Sequence, residues 1–156
     1  MNSTQKICIA EVDPNLESAQ KLVAELDEYM AARYPAESNH LVSIAELAAA
    51  HVTFVVAYLE GQALGCGAVK DINGAYGEIK RLYVAPPARG FGLAKAIISY
   101  LEQKALAKGL TILRLETGVN EPAAIGLYQK LGYERIGPFG AYQPDPLSVF
   151  MERRLA

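Results

Sequence analysis

The chain has 156 residues, 51% of them hydrophobic, which suits one folded domain over residues 1–156 with a sizeable core and excludes a disordered tail or a collagen-like repeat. Lys and Arg total 15 against 17 Asp and Glu, a formal net charge of -2, so no basic excess is available to neutralise a run of phosphates, which argues against nucleic acid as a partner. Cys8 and Cys66 show no CxxC or His-rich spacing, which predicts two thiols packed as small apolar residues in a reducing compartment, with neither a disulfide nor a metal site. The opening MNSTQKICIAEVD lacks a long apolar core behind a basic start, and no run approaches the roughly 18 to 20 apolar residues of a membrane span. The expectation is a soluble cytoplasmic protein with no membrane partner.

Residues 5–12, QKICIAEV, have the β-branched content of a first strand, and Asp13-Pro14 supplies a cap and a proline suited to a first helical turn. A helix is predicted over about 14–31, with Leu16, Ala19, Val23, Leu26 and Met30 facing inward. The segment ARYPAESNHL is irregular, and Ser43 opens a short second helix. VTFVVAYL, ALGCGAVKD and YGEIKRLYV, separated by the turns EGQ and NGA, read as a meander of three antiparallel strands. Ala85-Pro86-Pro87-Ala88 ends the ladder, and a long helix follows with Leu93, Ala96, Ile97, Tyr100, Leu101 and Ala105 on one face, ending near Gly109. TILRLETG is a further strand, Asn120-Glu121-Pro122 starts a helix carrying Ala124, Leu127, Tyr128 and Leu131, and Gly132 stops it. Two closing strands, around YERIGPF and LSVFMERRL, complete an α/β domain.

The stretch that carries chemistry is Arg89-Gly90-Phe91-Gly92-Leu93-Ala94, between a strand and a helix. Two glycines leave the backbone open for its N–H groups to converge on an anion, and the first turn of the helix adds free donors with a favourable dipole. A P-loop is excluded because GxxxxGK[ST] is absent, and a dinucleotide fingerprint because the sixth position from Gly90 is Lys95. On the glycines alone, a tight strand-to-helix connection explains the pattern as well as a pyrophosphate site does.

The loop matches Arg/Gln-x-x-Gly-x-Gly/Ala and resembles the acetyl-CoA pyrophosphate loop of the GNAT family of N-acetyltransferases. The order of EIKRLYV, ILRLET, Asn120, AAIGLYQKLGY and a final strand extends that resemblance over nearly the whole chain. GPFGAYQPDPLSVFMERRL is also similar to small bacterial members thought to modify free small molecules. The resemblance implies a mixed, mostly antiparallel central sheet of about seven strands flanked by helices, and direct transfer of an acetyl group from acetyl-CoA to an amine without a metal. It further implies that Leu82, Tyr83 and Val84 meet the pantetheine arm beside a bulge, that residues Arg89, Gly90, Phe91, Gly92, Leu93 and Ala94 cradle the pyrophosphate, and that Asn120 contacts the arm. Homodimers are common in the family.

Tyr128 matches the family position of the tyrosine that protonates the departing sulfur; a phenol of ordinary pKa about 10 is a competent donor to a thiolate, and without the match a core aromatic is the simpler reading. Glu116 and Glu78 compete as the base that deprotonates the amine, Glu116 being favoured and a water chain remaining a third route. Either carboxylate could instead be paired with Lys80, Arg81 or Arg114. Lys80 and Arg81, charged in a central strand, are candidates for holding a substrate carboxylate. Tyr34, Glu37, His40 and Tyr142, with Asp145, stand where the family builds its acceptor pocket. The expected reaction is acetylation of a small-molecule amine, an amino acid or related metabolite being one class. The alternatives are a protein N-terminal or lysine acetyltransferase and a non-catalytic acyl-CoA-binding module.

Overall fold

The computed structural model describes residues 6–155; Gln5, assigned above to the first strand, lies outside them. Seven strands form one sheet in the order β1-β2-β3-β4-β5-β7-β6: β1 (Ile7–Glu11), β2 (Val52–Leu59), β3 (Gln62–Ile72), β4 (Tyr76–Val84), β5 (Ile112–Gly118), β6 (Glu134–Ile136) and β7 (Ser148–Arg154). All neighbours run antiparallel except β4 and β5. The helices are α1 (Glu17–Arg33), α2 (Ile44–Leu47), α3 (Leu93–Ala107) and α4 (Pro122–Lys130).

The central strands read as near-continuous apolar runs because both faces are covered. Successive residues of β2 alternate between two cores: Val55 and Ala57 pack with Ile97, Ile98 and Leu101 of α3, whereas Phe54 and Val56 pack with Ala19, Leu22 and Val23 of α1. Gly67 lets α3 lie close to β3, since a Cβ there would stand 2.7 Å from Ile97 Cγ2. That approach fixes where the first turn of α3 sits, which matters for the site.

Three local expectations are corrected. Helix α1 starts at Glu17 rather than near residue 14, because Asp13 accepts a hydrogen bond from the Asn15 amide at 2.9 Å and its carbonyl one from the Leu16 amide, closing a turn ahead of the helix. Leu16 is consequently 48% exposed, and Leu22 takes its inward place. Cys66 is buried, its thiol pushed up to about 12 by burial, but Cys8 is exposed on edge strand β1.

The bulge of β4 falls at Arg81 and Leu82. Cys66 pairs with Tyr83 and Ala68 with Lys80, so Arg81 and Leu82 together stand opposite Gly67. Arg81 takes φ +57°, a left-handed conformation that costs a non-glycine residue free energy unless its surroundings hold it there. They do: its guanidinium donates to the Val42 carbonyl from Nε at 3.0 Å and from Nη2 at 2.8 Å, and to Asp27 from Nη1 at 2.6 Å.

Candidate active site

Strands β4 and β5 pair only at Gly77 with Leu113, Glu78 with Arg114 and Ile79 with Leu115. Beyond Ile79 they part, leaving residues 80–84 without a partner on that side. A cleft of about 330 Å³ opens there. Residues 79–84 form its floor; Tyr29 and Met30 of α1, residues 38 and 40–42, Glu116 and Thr117 of β5, and Ala124, Leu127 and Tyr128 of α4 form its walls. Arg89 and Ala94 stand at one end. The apolar stripe expected on α4 is thus divided: Ile125 and Tyr128 are fully buried, while Ala124 and Leu127 are half-buried along the cleft.

That end is built from backbone. Residues 86–88 form a single 3-10 turn, Gly90 and Gly92 take φ +89° and +87°, and Gly92 is the N-cap of α3 without any side-chain cap. The first backbone bond of the helix runs from the Ala96 amide to the Gly92 carbonyl, so the amides of residues 90–95 have no backbone partner among the described residues. A Cβ at either glycine would meet nothing within 4 Å. The glycines are therefore required by backbone conformation, and the space beside them is free for an anion. Arg89 donates from Nε to the Val84 carbonyl at 3.2 Å, which holds its guanidinium at the rim.

At the other end, charged side chains meet. Ser148 Oγ donates to Glu116 Oε2 at 2.8 Å, and His40 Nδ1 lies 3.5 Å from the same oxygen. Burial pushes the Glu116 carboxyl above the usual carboxylate range, against the opposing pull of Ser148, His40 and Lys80. Glu78 sits behind the cleft wall: Tyr142 Oη donates to its Oε2 at 2.6 Å, and Lys80 Nζ approaches the same oxygen at 3.4 Å. Lys80 also donates to Tyr142 Oη at 2.7 Å and to the His40 carbonyl at 3.0 Å, which places all three of its donors. Burial and the Glu78 charge drive the Tyr142 phenol far above its ordinary value.

The structure therefore brings together Glu116, His40, Lys80, Tyr142 and Glu78, but it corrects several expected roles. Lys80 and Arg81 both line the cleft, but their donors are taken by Glu78, Tyr142 and the His40 carbonyl and by Val42 and Asp27, which hold β4 to the segments around it. Tyr34 is a buried strut outside the cleft lining, donating to Glu121 at 2.7 Å and accepting from the Asn120 amide at 3.1 Å. Gly118 admits it, since a Cβ there would stand 2.0 Å from Tyr34 Oη. Glu37 and Asn120 are exposed and line no part of the cleft. Glu121, which sequence reasoning used only as a helix start, does line it and accepts hydrogen bonds from both Tyr29 and Tyr34; no local pattern signals partners roughly ninety residues away.

Tyr128 is 5% exposed, stacks edge-on against Tyr133 at 5.6 Å, and presents a hydroxyl with no hydrogen-bond partner among the described side chains. Burial raises its pKa well above the ordinary phenol value. Among the described residues, no three His, Cys, Asp or Glu side chains converge as a metal site, and no helix is long and apolar enough to cross a membrane.

Comparison with known proteins agrees with this architecture. The sequence profile of the Acetyltransferase (GNAT) family matches residues 15–133. The IAA acetyltransferase of Azospirillum brasilense is 45% identical over 150 residues, covering 96% of this chain and 98% of that protein. A Klebsiella pneumoniae structure assigned as an acyl-CoA N-acyltransferase superposes with a TM-score of 0.80 at 34% identity, covering 96% of this chain and 98% of that one. The PaiA N-acetyltransferase of Thermoplasma acidophilum, solved with coenzyme A, shares the fold at a TM-score of 0.72 and 18% identity, over 96% of this chain and 99% of that one. The open strand edge, the loop of unpaired amides and the relatives together make this chain a member of the GNAT family, an acetyl-CoA-dependent N-acetyltransferase.

Proposed function

We propose that the chain acetylates the amine of a small molecule, with Glu116 as base and Tyr128 as the donor to the departing sulfur. The observation that carries this reading is the continuity of the cleft, which runs from Arg89 and Ala94, beside the free amides of residues 90–95, along the open edge of β4 to Glu116. Those amides suit a pyrophosphate, and the unpaired edge at residues 80–84 suits the amide groups of a pantetheine arm. Acetyl-CoA, when bound, supplies an activated acyl group on a thiolate leaving group. An amide of the bulged segment would polarise the thioester carbonyl.

Glu116 is favoured over Glu78 because it lines the cleft, whereas the Oε2 of Glu78 already serves Tyr142 and Lys80. Its raised pKa brings it nearer the working range of a general base. Tyr128, raised by burial, stays protonated throughout that range, so a hydrogen bond to the developing thiolate is its first contribution.

A small acceptor is favoured over a polypeptide because Ser38 Oγ donates to Asp145 at 2.7 Å and Lys80 clasps the His40 carbonyl, drawing residues 38–40 against the loop before β7. The commitment of Lys80 and Arg81 favours recognition of the amine over recognition of a carboxylate beside it. A library of amines and amino acids screened with acetyl-CoA for free-thiol release tests the acceptor class: turnover of small amines is expected, and turnover confined to peptides overturns it.

Four substitutions test the roles. Gly92→Val forces a β-branched residue to φ +87°, and weakening of acetyl-CoA binding by at least about tenfold in calorimetry is expected; unchanged affinity removes the loop from the site. Tyr128→Phe keeps the ring and deletes the donor, so kcat should fall roughly 10- to 1000-fold with little change in thermal stability. Activity within about twofold of the parent would leave Tyr128 a core residue.

Glu116 must be ionised to act as a base. Because its folded pKa is raised, kcat/KM should fall as pH drops through a value above that of an ordinary carboxylate, and Glu116→Gln should abolish that limb. Measured on one acceptor of known pKa, the variant should recover at high pH, where the amine deprotonates unaided. The same loss and recovery in Glu78→Gln instead would exchange the two roles.

A further inference from the structure

His40 Nδ1 is a buried nitrogen with no hydrogen-bond partner within ordinary distance, and buried polar groups are rarely left so. It stops 3.5 Å from Glu116 Oε2, a few tenths of an ångström beyond a normal N–H···O or O–H···N bond. The ring itself is held in place: Tyr142 packs edge-on at 5.1 Å, and Lys80 Nζ fixes the His40 carbonyl at 3.0 Å. The side chain is 31% exposed although Nδ1 is sequestered, so its opposite edge, with Nε2, retains access to water. One nitrogen thus faces the carboxylate, and the exposed part of the ring borders the water of the cleft.

We infer that His40 is the proton exit of the active site, taking at Nδ1 the proton that Glu116 removes from the acceptor and releasing another to solvent from Nε2. The inference rests on Glu116 being the base.

Acetylating an ammonium breaks two N–H bonds and forms one N–C bond. One proton ends on the sulfur of the departing thiol, and the other must reach bulk water in every turnover. Glu116, with Oε2 held by Ser148, is the more enclosed of the pair, 14% exposed against 31% for His40, so the imidazole offers the more open way out. An imidazole carrying its proton on Nε2 accepts at Nδ1 from the protonated Glu116 and loses the Nε2 proton outward. The ring is then left with its proton on the sequestered Nδ1, and a half-turn about Cβ–Cγ between turnovers carries that nitrogen to the other side of the ring, where water takes the proton.

The groups facing His40 are Glu116 of β5, Lys80 of β4 with Glu78 behind it, Ser148 at the start of β7, and Tyr142 and Asp145 from the loop before β7. Glu116 is the carboxylate set against the ring nitrogen. Glu78 is bonded to Tyr142 and Lys80, and Asp145 to Ser38 and the Leu147 amide. Glu116 is thus the carboxylate placed to pass a proton to His40.

Two measurements test this. In the first, the His40 ring nitrogens are followed by ¹⁵N NMR against pH in the parent and in Glu116→Gln, without any acceptor. A carboxylate facing Nδ1 predicts that its removal changes the chemical shift of that nitrogen and the balance of the two ring tautomers; identical spectra in parent and variant overturn the proposal. The second follows acetylation of the fastest-turning amine of the screen by His40→Ala and by the more conservative His40→Gln. Activity should fall about 10- to 100-fold, and added imidazole should restore His40→Ala in proportion to its free base but leave Glu116→Gln unchanged. Parental activity in both His40 variants, or a deficit that imidazole does not relieve, overturns the relay while leaving Glu116 as base. A fully active Glu116→Gln removes the base assignment and the relay together.

Discussion

Strands β4 and β5 are the sole parallel neighbours in the sheet, and they stay together for three residue pairs before separating. A sheet interior normally satisfies every main-chain donor and acceptor through its ladder. Here the bulge at Arg81 and Leu82 turns β4 away from β5, and residues 80–84 keep an edge without a partner strand, with the Val84 carbonyl accepting from Arg89. The left-handed backbone of Arg81 holds that turn, and the guanidinium of the same residue ties it to Val42 and Asp27. One residue thus supplies both the strain and the contacts that offset it. The loop of free amides depends on the same framework, since α3 can present its first turn to the cleft only because Gly67 lets the helix lie against β3.

Burying charge is costly unless it is paired, and the walls of the cleft obey this rule with one exception. Lys80 uses all its donors on Glu78, Tyr142 and the His40 carbonyl, and Glu121 accepts from two tyrosines. These networks stiffen the fork from both sides. Glu116 is the carboxylate left under-satisfied, with Ser148 as its one close donor and His40 just out of reach. Burial raises its pKa, and Ser148, His40 and Lys80 offset that only in part. Unequal satisfaction of otherwise similar carboxylates is how a fold separates a structural acid from a reactive one.

The strands were legible in the sequence because β2, β3 and β4 are apolar runs bounded by Glu60-Gly61 and Asn73-Gly74, where local turn chemistry and burial agree. The glycine loop was legible for the same reason: Gly90 and Gly92 are needed locally. What escaped depends on residues distant in sequence. Nothing in the LVAELDEYM pattern of α1 shows that Asp27 receives Arg81 from 54 positions away, or that Tyr34 reaches Asn120 rather than an acceptor pocket. Lys80 and Arg81 were singled out correctly as charges in a central strand, but whether such a charge binds a ligand or an internal partner is decided by tertiary contacts. The start of α1 was misplaced because Asp13 can cap a helix or close a turn, and the following Asn15 settles it for the turn.

Hydrogen exchange measured residue by residue, with and without coenzyme A, tests the central claim that the open edge of β4 and the amide loop form one binding surface. Saturation with coenzyme A should slow exchange about tenfold or more at amides within residues 80–84 and 90–95, with β1 and β2 unaffected. Protection that spares both segments, or that falls instead around Asp13 and Phe54 in the second depression of the surface, would contradict the account.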